Sequence, residues 1–391
     1  MVYFHPVFTS AMVQESKRIK ILFTIPNFDT AGSGKALLNV ALRLDKDLFE
    51  PHIMCMHDRG FFFETVKKSK IPVHIFNYTT QMKPYNKGII NCYRISRALK
   101  RIRPDIIHSF HYAADYSEPL AAKFAGIPWV YTKKNMNWGG ASKNGWLLRT
   151  KFAKKIAVQN TDMLSQFFLK NTSKTKLIPR GVNTKEFYPQ QPDSKLKEKW
   201  GILDDKRVLI CVANLVPVKG IEILLQAFSK GSNLFNDWVL IIVGDNNNEY
   251  GEKMKDLTLQ LKLENKIIFT GKQPNVIDYL NLAEVFVLTT LNEGRKEGSP
   301  VSLLEAMATE KFVLGSKIPG IKDQLNKFPD NMVEAGSVDA WTHALKMSLT
   351  KEKKWLKAKG VLFRKHILDN YTIEKEVQNC EEMYIDIYTN K

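Results

Sequence analysis

Cysteine is scarce: the chain has four in 391 residues. They stand at positions 55, 92, 211 and 380, with no C-x-x-C pair and no metal-ligand spacing. That argues against a disulfide scaffold and a structural zinc site. Cys55 and Cys211 sit inside apolar runs that read as strands, so buried reduced thiols are expected. Long apolar runs are also lacking, none approaching the ~18 residues of a bilayer-spanning helix. Residues 1–16 lack the basic start and unbroken apolar stretch of a secretory signal, and read as a loose tail. There is no internal repeat and no low-complexity tract. Hydrophobic residues make up 44% and there are seven Trp, so disorder is excluded and there is material for two sizeable cores.

Acidic residues are short in one half only. Residues 1–190 hold 30 Lys+Arg against 12 Asp+Glu; residues 191–391 hold 28 of each. The whole net charge of +18 therefore belongs to the first half. Two domains with different partners, one of them anionic, are expected. Nucleic acid, an anionic membrane surface and phosphorylated substrates are all open on charge alone.

Short β-rich runs alternate with helical patterns along the chain. In the first half they are 19–25, 51–57, 73–76, 105–110, 129–132, 155–158 and 176–178. In the second they are 208–212, 238–243, 266–270, 285–288 and 312–315. This alternation predicts parallel α/β sheets. A polar stretch with Pro189 and Pro192 reads as a connector. The expected division is 1–16 tail, 17–185 first Rossmann-like domain, 186–205 linker, 206–370 second Rossmann-like domain and 371–391 terminal helix. Ligands of such sheets bind at the strand C-termini.

One segment carries chemistry: Glu297-Gly298-Ser299-Pro300-Val301-Ser302-Leu303-Leu304-Glu305-Ala306-Met307-Ala308. Ser299 suits the cap of the apolar helix and Pro300 its first position. Free amides at a helix start favour phosphate or sugar oxygens. Glu305, two turns in, needs hydrogen-bond donors such as sugar or ribose hydroxyls. A capped surface helix with two solvated glutamates is the plainer alternative, and spacing alone leaves both open.

The chain resembles the family 4 glycosyltransferases of the GT-B fold over most of its length. The Glu-x7-Glu element followed by Ala-Met-Ala is the strongest mark. Weaker pieces lie in register: 31–39 (AGSGKALLN), 104–108 (PDIIH), 126–128 (GIP), 179–183 (PRGVN), 216–220 (VPVKG), 243–245 (VGD), 269–271 (FTG) and 319–321 (PGI). The resemblance implies two facing Rossmann-like domains, an acceptor-binding first one and a nucleotide-sugar-binding second one. The last helix would cross back to the first domain. Glu297 would contact the donor sugar, with the backbone of Gly298, Ser299, Pro300 and Val301 near sugar and pyrophosphate. Glu305 would bind the ribose, Lys219 the pyrophosphate, and Lys272 would lie near the base. Gly32, with Ser33 beside it, would let the first loop approach phosphates and acceptor. His111 would line the acceptor side.

Three departures stand out. Asn214 occupies the position of a usual arginine, five before Lys219. Lys134 stands where the family often has a histidine beside the reaction centre. Glu293-Gly294-Arg295-Lys296 lengthens the loop before Glu297. The strand before it aligns Glu293 with the first glutamate and the helix aligns Glu297, the residue with the eight-position offset to Glu305. Arg295 and Lys296 then fall near the donor and replace the missing arginine.

Other motifs fail on inspection. Gly32-Ser33-Gly34-Lys35 lacks the first glycine and the Ser/Thr of a P-loop, and Leu37 breaks a dinucleotide fingerprint. Asp45-Lys46-Asp47 lies at a polar helix end. His108 and His111 have no third ligand near them in sequence. No metal is expected, and no cofactor beyond the nucleotide sugar.

Three basic–apolar stretches are candidate docking surfaces: 61–70, 85–103 and 143–155. In the second, Ile89, Cys92, Ile95, Leu99 and Ile102 fall on one helical face and Arg94, Arg97, Lys100 and Arg101 on the other. These faces suit anionic lipid; no nucleic-acid-binding signature is present. The expectation is a cytoplasmic transferase on the inner face of the membrane. It would be retaining and metal-independent, moving sugar from a UDP-linked donor to a glycan or lipid-linked acceptor in surface polysaccharide or glycolipid synthesis. A non-catalytic nucleotide-sugar scaffold and a GT-B epimerase or phosphorylase are the alternatives.

Overall fold

The computed structural model describes residues 17–390 apart from 30, 61, 139–142 and 294–296. The expected tail, Phe61, Arg295 and Lys296 lie outside the described residues.

Two parallel sheets form. The first contains β1 (Ile19–Thr24), β2 (Phe49–Cys55), β3 (Val73–Ile75), β4 (Ile106–Ser109), β5 (Trp129–Lys133), β6 (Lys155–Val158) and β7 (Thr175–Leu177), in the order β3-β2-β1-β4-β5-β6-β7. The second contains β8 (Arg207–Val212), β9 (Trp238–Val243), β10 (Ile267–Gly271), β11 (Val285–Leu288), β12 (Phe312–Ser316) and β13 (Met332–Val333), in the order β10-β9-β8-β11-β12-β13. Both are Rossmann-like, and the architecture is the α/β GT-B type. Every residue of β9 and of β11 is buried, as strands covered by helices on both faces must be. Their uninterrupted apolar runs are the sequence trace of that burial. β13, two residues long, has no periodicity to announce it.

By spatial contact the chain divides into two compact units. One holds the chain up to His111, Ser117–Trp129 and the end from Tyr384; the other holds Tyr112–Tyr116 and Val130–Met383. In the first unit, His108 is fully buried and its Nδ1 lies 2.5 Å from the Tyr384 hydroxyl. His108 is thus part of the packing. All four cysteines are free and buried, and burial pushes the Cys55 thiol up to about 11 and that of Cys211 to about 12.

The helix Tyr85–Ile102 starts four residues before Ile89, and the expected phase is wrong at its start. Cys92, Ile95 and Leu99 are buried, but Ile89 is 48% exposed. Gly88 sets this phase: a Cβ there would lie 2.6 Å from the Met82 carbonyl oxygen. That backbone contact occupies the inner face of the first turn and turns Ile89 outward. Arg94, Arg97, Lys100 and Arg101 are exposed, as expected. The 143–155 stretch is less of a docking surface than it reads. Trp146 is buried and Arg149 fully so, with Arg149 donating to the Asp115 carbonyl at 2.6 Å. Among the described residues no helix is long and apolar enough to cross a membrane.

Candidate active site

In the second sheet β8 and β11 are neighbours, and the strand order runs away from them in both directions. Loops leaving the C-terminal ends of such a pair diverge and leave a crevice. The loop after β8 carries Asn214 and Lys219; the loop after β11 runs from Thr289 to Pro300. Two hydrogen bonds tie them: Leu291 N donates to the Val218 carbonyl at 2.8 Å, and Thr289 Oγ1 donates to the Lys219 carbonyl at 3.0 Å. Gly220 makes this approach possible. It has φ +60°, and a Cβ there would be 2.5 Å from the Thr289 carbonyl oxygen.

Lys219 Nζ lies 3.0 and 3.1 Å from the two Glu297 carboxylate oxygens. The side chains are 15% and 24% exposed, so the pair is shielded yet reachable. Residues 78 positions apart thus form a charged centre at the mouth of the sheet.

Beyond Glu297 the chain turns into the helix Val301–Ala308. The expected caps shift by one residue: Pro300 is itself the cap, no side chain caps the helix, and Val301 opens it. Ser299 is held from outside, its Oγ accepting from Gln324 Nε2 at 3.0 Å; the same nitrogen donates to the Pro300 carbonyl at 3.1 Å. An uncapped helix start leaves its first amides for an anion or a sugar oxygen.

Gly298 is the tight point. A Cβ there would be 2.7 Å from the Lys134 carbonyl carbon and closer to its oxygen. Fully buried Asn160 donates Nδ2 to the Gly298 carbonyl at 2.6 Å. The turn is thereby pinned against the 134–137 loop, and half-buried Lys134 lies next to it. The preceding residue, Lys133, was not singled out by sequence. It is fully buried and donates to Asn135 O, Asn135 Oδ1 and Asn137 O at 2.6, 2.8 and 2.8 Å. Its ammonium stands 4.3 Å from the Trp146 ring centre. Burial, then Arg149, lowers its pKa to about 7. Lys133 positions the loop that carries Lys134.

The other expected donor residues are placed by the strands and helix that carry them. Asn214 is exposed after β8 and Lys272 is exposed after β10, both at the C-terminal edge of the sheet. Glu305 is half-buried in the second turn of the Val301–Ala308 helix. Gly32, Ser33 and His111 belong to the first unit. Gly32 is exposed, with no heavy atom within 4 Å of where a Cβ would sit; the close-packed glycine there is Gly34, whose Cβ would be 2.7 Å from Phe28 Cδ1. His111 is buried at the end of β4, edge-on to Tyr78 with ring centres 6.2 Å apart.

Two further residues carried no motif. Thr290 is fully buried just after β11, and its hydroxyl has no hydrogen-bond partner among the described residues. Its only trace in sequence is a hydroxyl pair directly after a strand. Glu118, 1% exposed, accepts from Thr24 Oγ1 at 2.5 Å and Ser109 Oγ at 2.7 Å, at the ends of adjacent β1 and β4. The 179–183 motif proves architectural: Arg180 Nε is 3.2 Å from Glu376 Oε1, and Gly181 N donates to Glu376 Oε2 at 2.8 Å. Among the described residues no cluster of three or more His, Cys, Asp or Glu could hold a metal ion.

Comparison with known proteins gives the family. A family model described as Glycosyl transferases group 1 matches residues 192–359, and one described as Glycosyltransferase Family 4 matches residues 30–186. The UDP-Gal:alpha-D-GlcNAc-diphosphoundecaprenol alpha-1,3-galactosyltransferase of Escherichia coli is 28% identical over 326 residues, covering 78% of this chain and 80% of that one. A glycosyltransferase structure from Rickettsia africae ESF-5 superposes with TM-score 0.83 at 21% identity, covering 96% of this chain and 100% of the other. Anabaena HepE in complex with UDP-glucose superposes with TM-score 0.78 at 17% identity, covering 94% and 100%. Two matched family models spanning most of the sequence, on a fold shared with solved glycosyltransferases, make this chain a member of the group 1 glycosyltransferases of the family 4 type.

Proposed function

We propose that this glycosyltransferase takes its sugar from a UDP-linked donor and transfers it with retention of configuration, without an obligatory metal, to a glycan or lipid-linked acceptor. The observation that carries this reading is the Lys219–Glu297 pair beside an uncapped helix start at the β8/β11 switch point. The E. coli relative is named for a UDP-galactose donor and a diphosphoundecaprenol-linked acceptor, and HepE was solved with UDP-glucose. On this reading the donor breaks the ion pair. Lys219 turns to the diphosphate and Glu297 to the sugar hydroxyls. Asn214 and Lys272 border the nucleotide, Glu305 accepts from the ribose, and Arg295 and Lys296 add charge beside the diphosphate. The bond from the anomeric carbon to the diphosphate oxygen breaks, and the acceptor hydroxyl bonds to the same face. Its proton goes to the departing phosphate. Lys219 and the amides of Gly298, Ser299 and Val301 oppose the charge that develops there, while the turn holds the sugar in line. Lys134 supplies a further cation, and Gly32, Ser33 and His111 meet the acceptor.

The test is turnover of a UDP-sugar panel with and without EDTA, with the anomeric configuration of the product read by NMR. Full activity in EDTA and an α-linked product from an α-linked donor are expected. Reversible loss in EDTA, or inversion, overturns the corresponding part.

The same proposal places the enzyme on the inner face of the cytoplasmic membrane, through its basic half, in surface polysaccharide or glycolipid synthesis. The support is the Tyr85–Ile102 helix. Exposed Arg94, Arg97, Lys100 and Arg101 accompany an apolar depression of about 370 Å³ lined by Ile89, Ile90, Tyr93 and Phe124. Each basic residue near an anionic surface contributes ~1 kcal/mol. Sedimentation with anionic vesicles, lost on neutral vesicles and when the four basic residues become Gln, is the expected outcome; equal recovery on both vesicle types refutes it.

A further inference from the structure

A cavity of the second unit lies away from the Lys219–Glu297 centre. It measures about 720 Å³ and opens where β8, β11 and β12 begin, around Arg207, Glu284 and Lys311. β8 runs six residues from this edge to the other, so at ~3.3 Å per residue the two sites stand roughly 15–20 Å apart. The connector residues Pro189–Pro192 form one wall and the start of the Lys353–Asn370 helix another.

Charge in this cavity is unevenly satisfied. Arg207 holds Glu284 at 2.7 Å, Lys206 faces Asp205 at 3.6 Å and Lys197 faces Asp204 at 3.9 Å. That leaves Lys311, Lys353 and Lys357 against Glu310 alone. None of these three ammonium groups has a hydrogen bond or ion pair among the described residues. Lys311 is half-buried. Burial, with Lys353 and Lys357 adding repulsion against the pull of Glu310 and Glu284, lowers its pKa to about 8.

Lys353 and Lys357 are one turn apart at a helix N-terminus whose cap residue, Glu352, makes no side-chain capping bond and whose first turn holds no acid. Both the i,i+4 repulsion and the positive end of the helix dipole oppose lysines here. A local arrangement that works against stability marks a place where something else supplies the missing charge. An anion in the cavity would supply that charge. The volume suits a small molecule, and Leu282, Ala283 and Leu356 offer apolar wall to its remainder.

We propose that this cavity is a second ligand site, at the edge of the sheet opposite the donor centre, which binds a phosphorylated small molecule through Lys311, Lys353, Lys357 and the first amides of the 353–370 helix. The test is calorimetric titration of the full chain with inorganic pyrophosphate in four forms: wild type, Lys219→Gln, Lys357→Gln, and the double variant Lys311→Gln/Lys357→Gln. The wild type is expected to show two binding events. Lys219→Gln loses the donor-centre event and retains the other. The double variant weakens that other event at least tenfold, and Lys357→Gln weakens it partially. Lys357 is exposed, so its variant keeps the fold even where the double variant does not. Pyrophosphate raises the melting temperature of Lys219→Gln, and raises that of the double variant less than that of the wild type. A single event abolished by Lys219→Gln, or two events unchanged in Lys357→Gln and the double variant, overturns the proposal.

Discussion

Gly298→Ala is the sharpest probe of the site. The new methyl would sit 2.7 Å from the Lys134 carbonyl carbon and nearer to its oxygen. Carbon contacts are comfortable at ~3.5–4.0 Å, so turn or loop must yield by roughly 1 Å. Both neighbours are backbone, and neither can rotate away. Yielding draws the Gly298 carbonyl from Asn160 Nδ2, now at 2.6 Å. Asn160 is fully buried, and a buried amide left without its acceptor costs about 1–3 kcal/mol. For a unit of this size that lowers the melting temperature by roughly 2–10 °C. Glu297 is the adjacent residue, and a ~1 Å misplacement of a positioning group costs ~100-fold in rate. Gly298→Ala should therefore fold, melt a few degrees lower and lose about two orders of magnitude in kcat/KM, with Asn160→Ala giving a similar melting shift. The two changes act on one contact, so the double variant should fall short of their sum. Labelled nucleotide-sugar turnover and calorimetry measure all of this. Wild-type turnover in Gly298→Ala would refute the placement of this turn at the reaction centre.

Gly32→Ala is the complementary case. No atom lies within 4 Å of its added methyl, so stability should stay within ~0.5 kcal/mol, while acceptor KM rises if substrate passes there; an unchanged KM removes Gly32 from the site. Glu305→Ala should weaken donor binding more than it slows turnover, because ribose contacts exist before and during reaction; unchanged donor affinity in a binding titration would refute its role. Lys133 titrates at about 7 in the fold and near ~10.4 unfolded. The unfolded chain then binds more protons between these values, so this lysine's contribution to stability rises from pH 7 to 10 and is flat below 7. Melting curves of wild type and Lys133→Met should diverge in slope over that range, and parallel curves would refute the depressed value.

The sequence by itself determined the two-sheet α/β architecture, because parallel strands covered on both faces must be apolar throughout. The runs at 238–243 and 285–288 state this directly. It also determined the helix of the site, since a Gly-Ser-Pro turn entering an apolar helix is a local instruction. It placed Glu297 and Glu305 in that context through a resemblance. Only the tertiary structure decided what those residues meet. The Lys219–Glu297 pair joins positions 78 apart, and no local rule selects one partner among many lysines. Gly298 reads as a turn residue, yet its need for glycine comes from the Lys134 carbonyl, supplied by a different loop. Lys133 and Lys134 are chemically identical neighbours, and strand direction alone sends one beneath Trp146 while the other stays at the loop. Ile89 has the helical spacing of a core residue, but the Gly88–Met82 backbone contact turns it to solvent. Local pattern records which residues can be buried; the packing of distant segments decides which of them are.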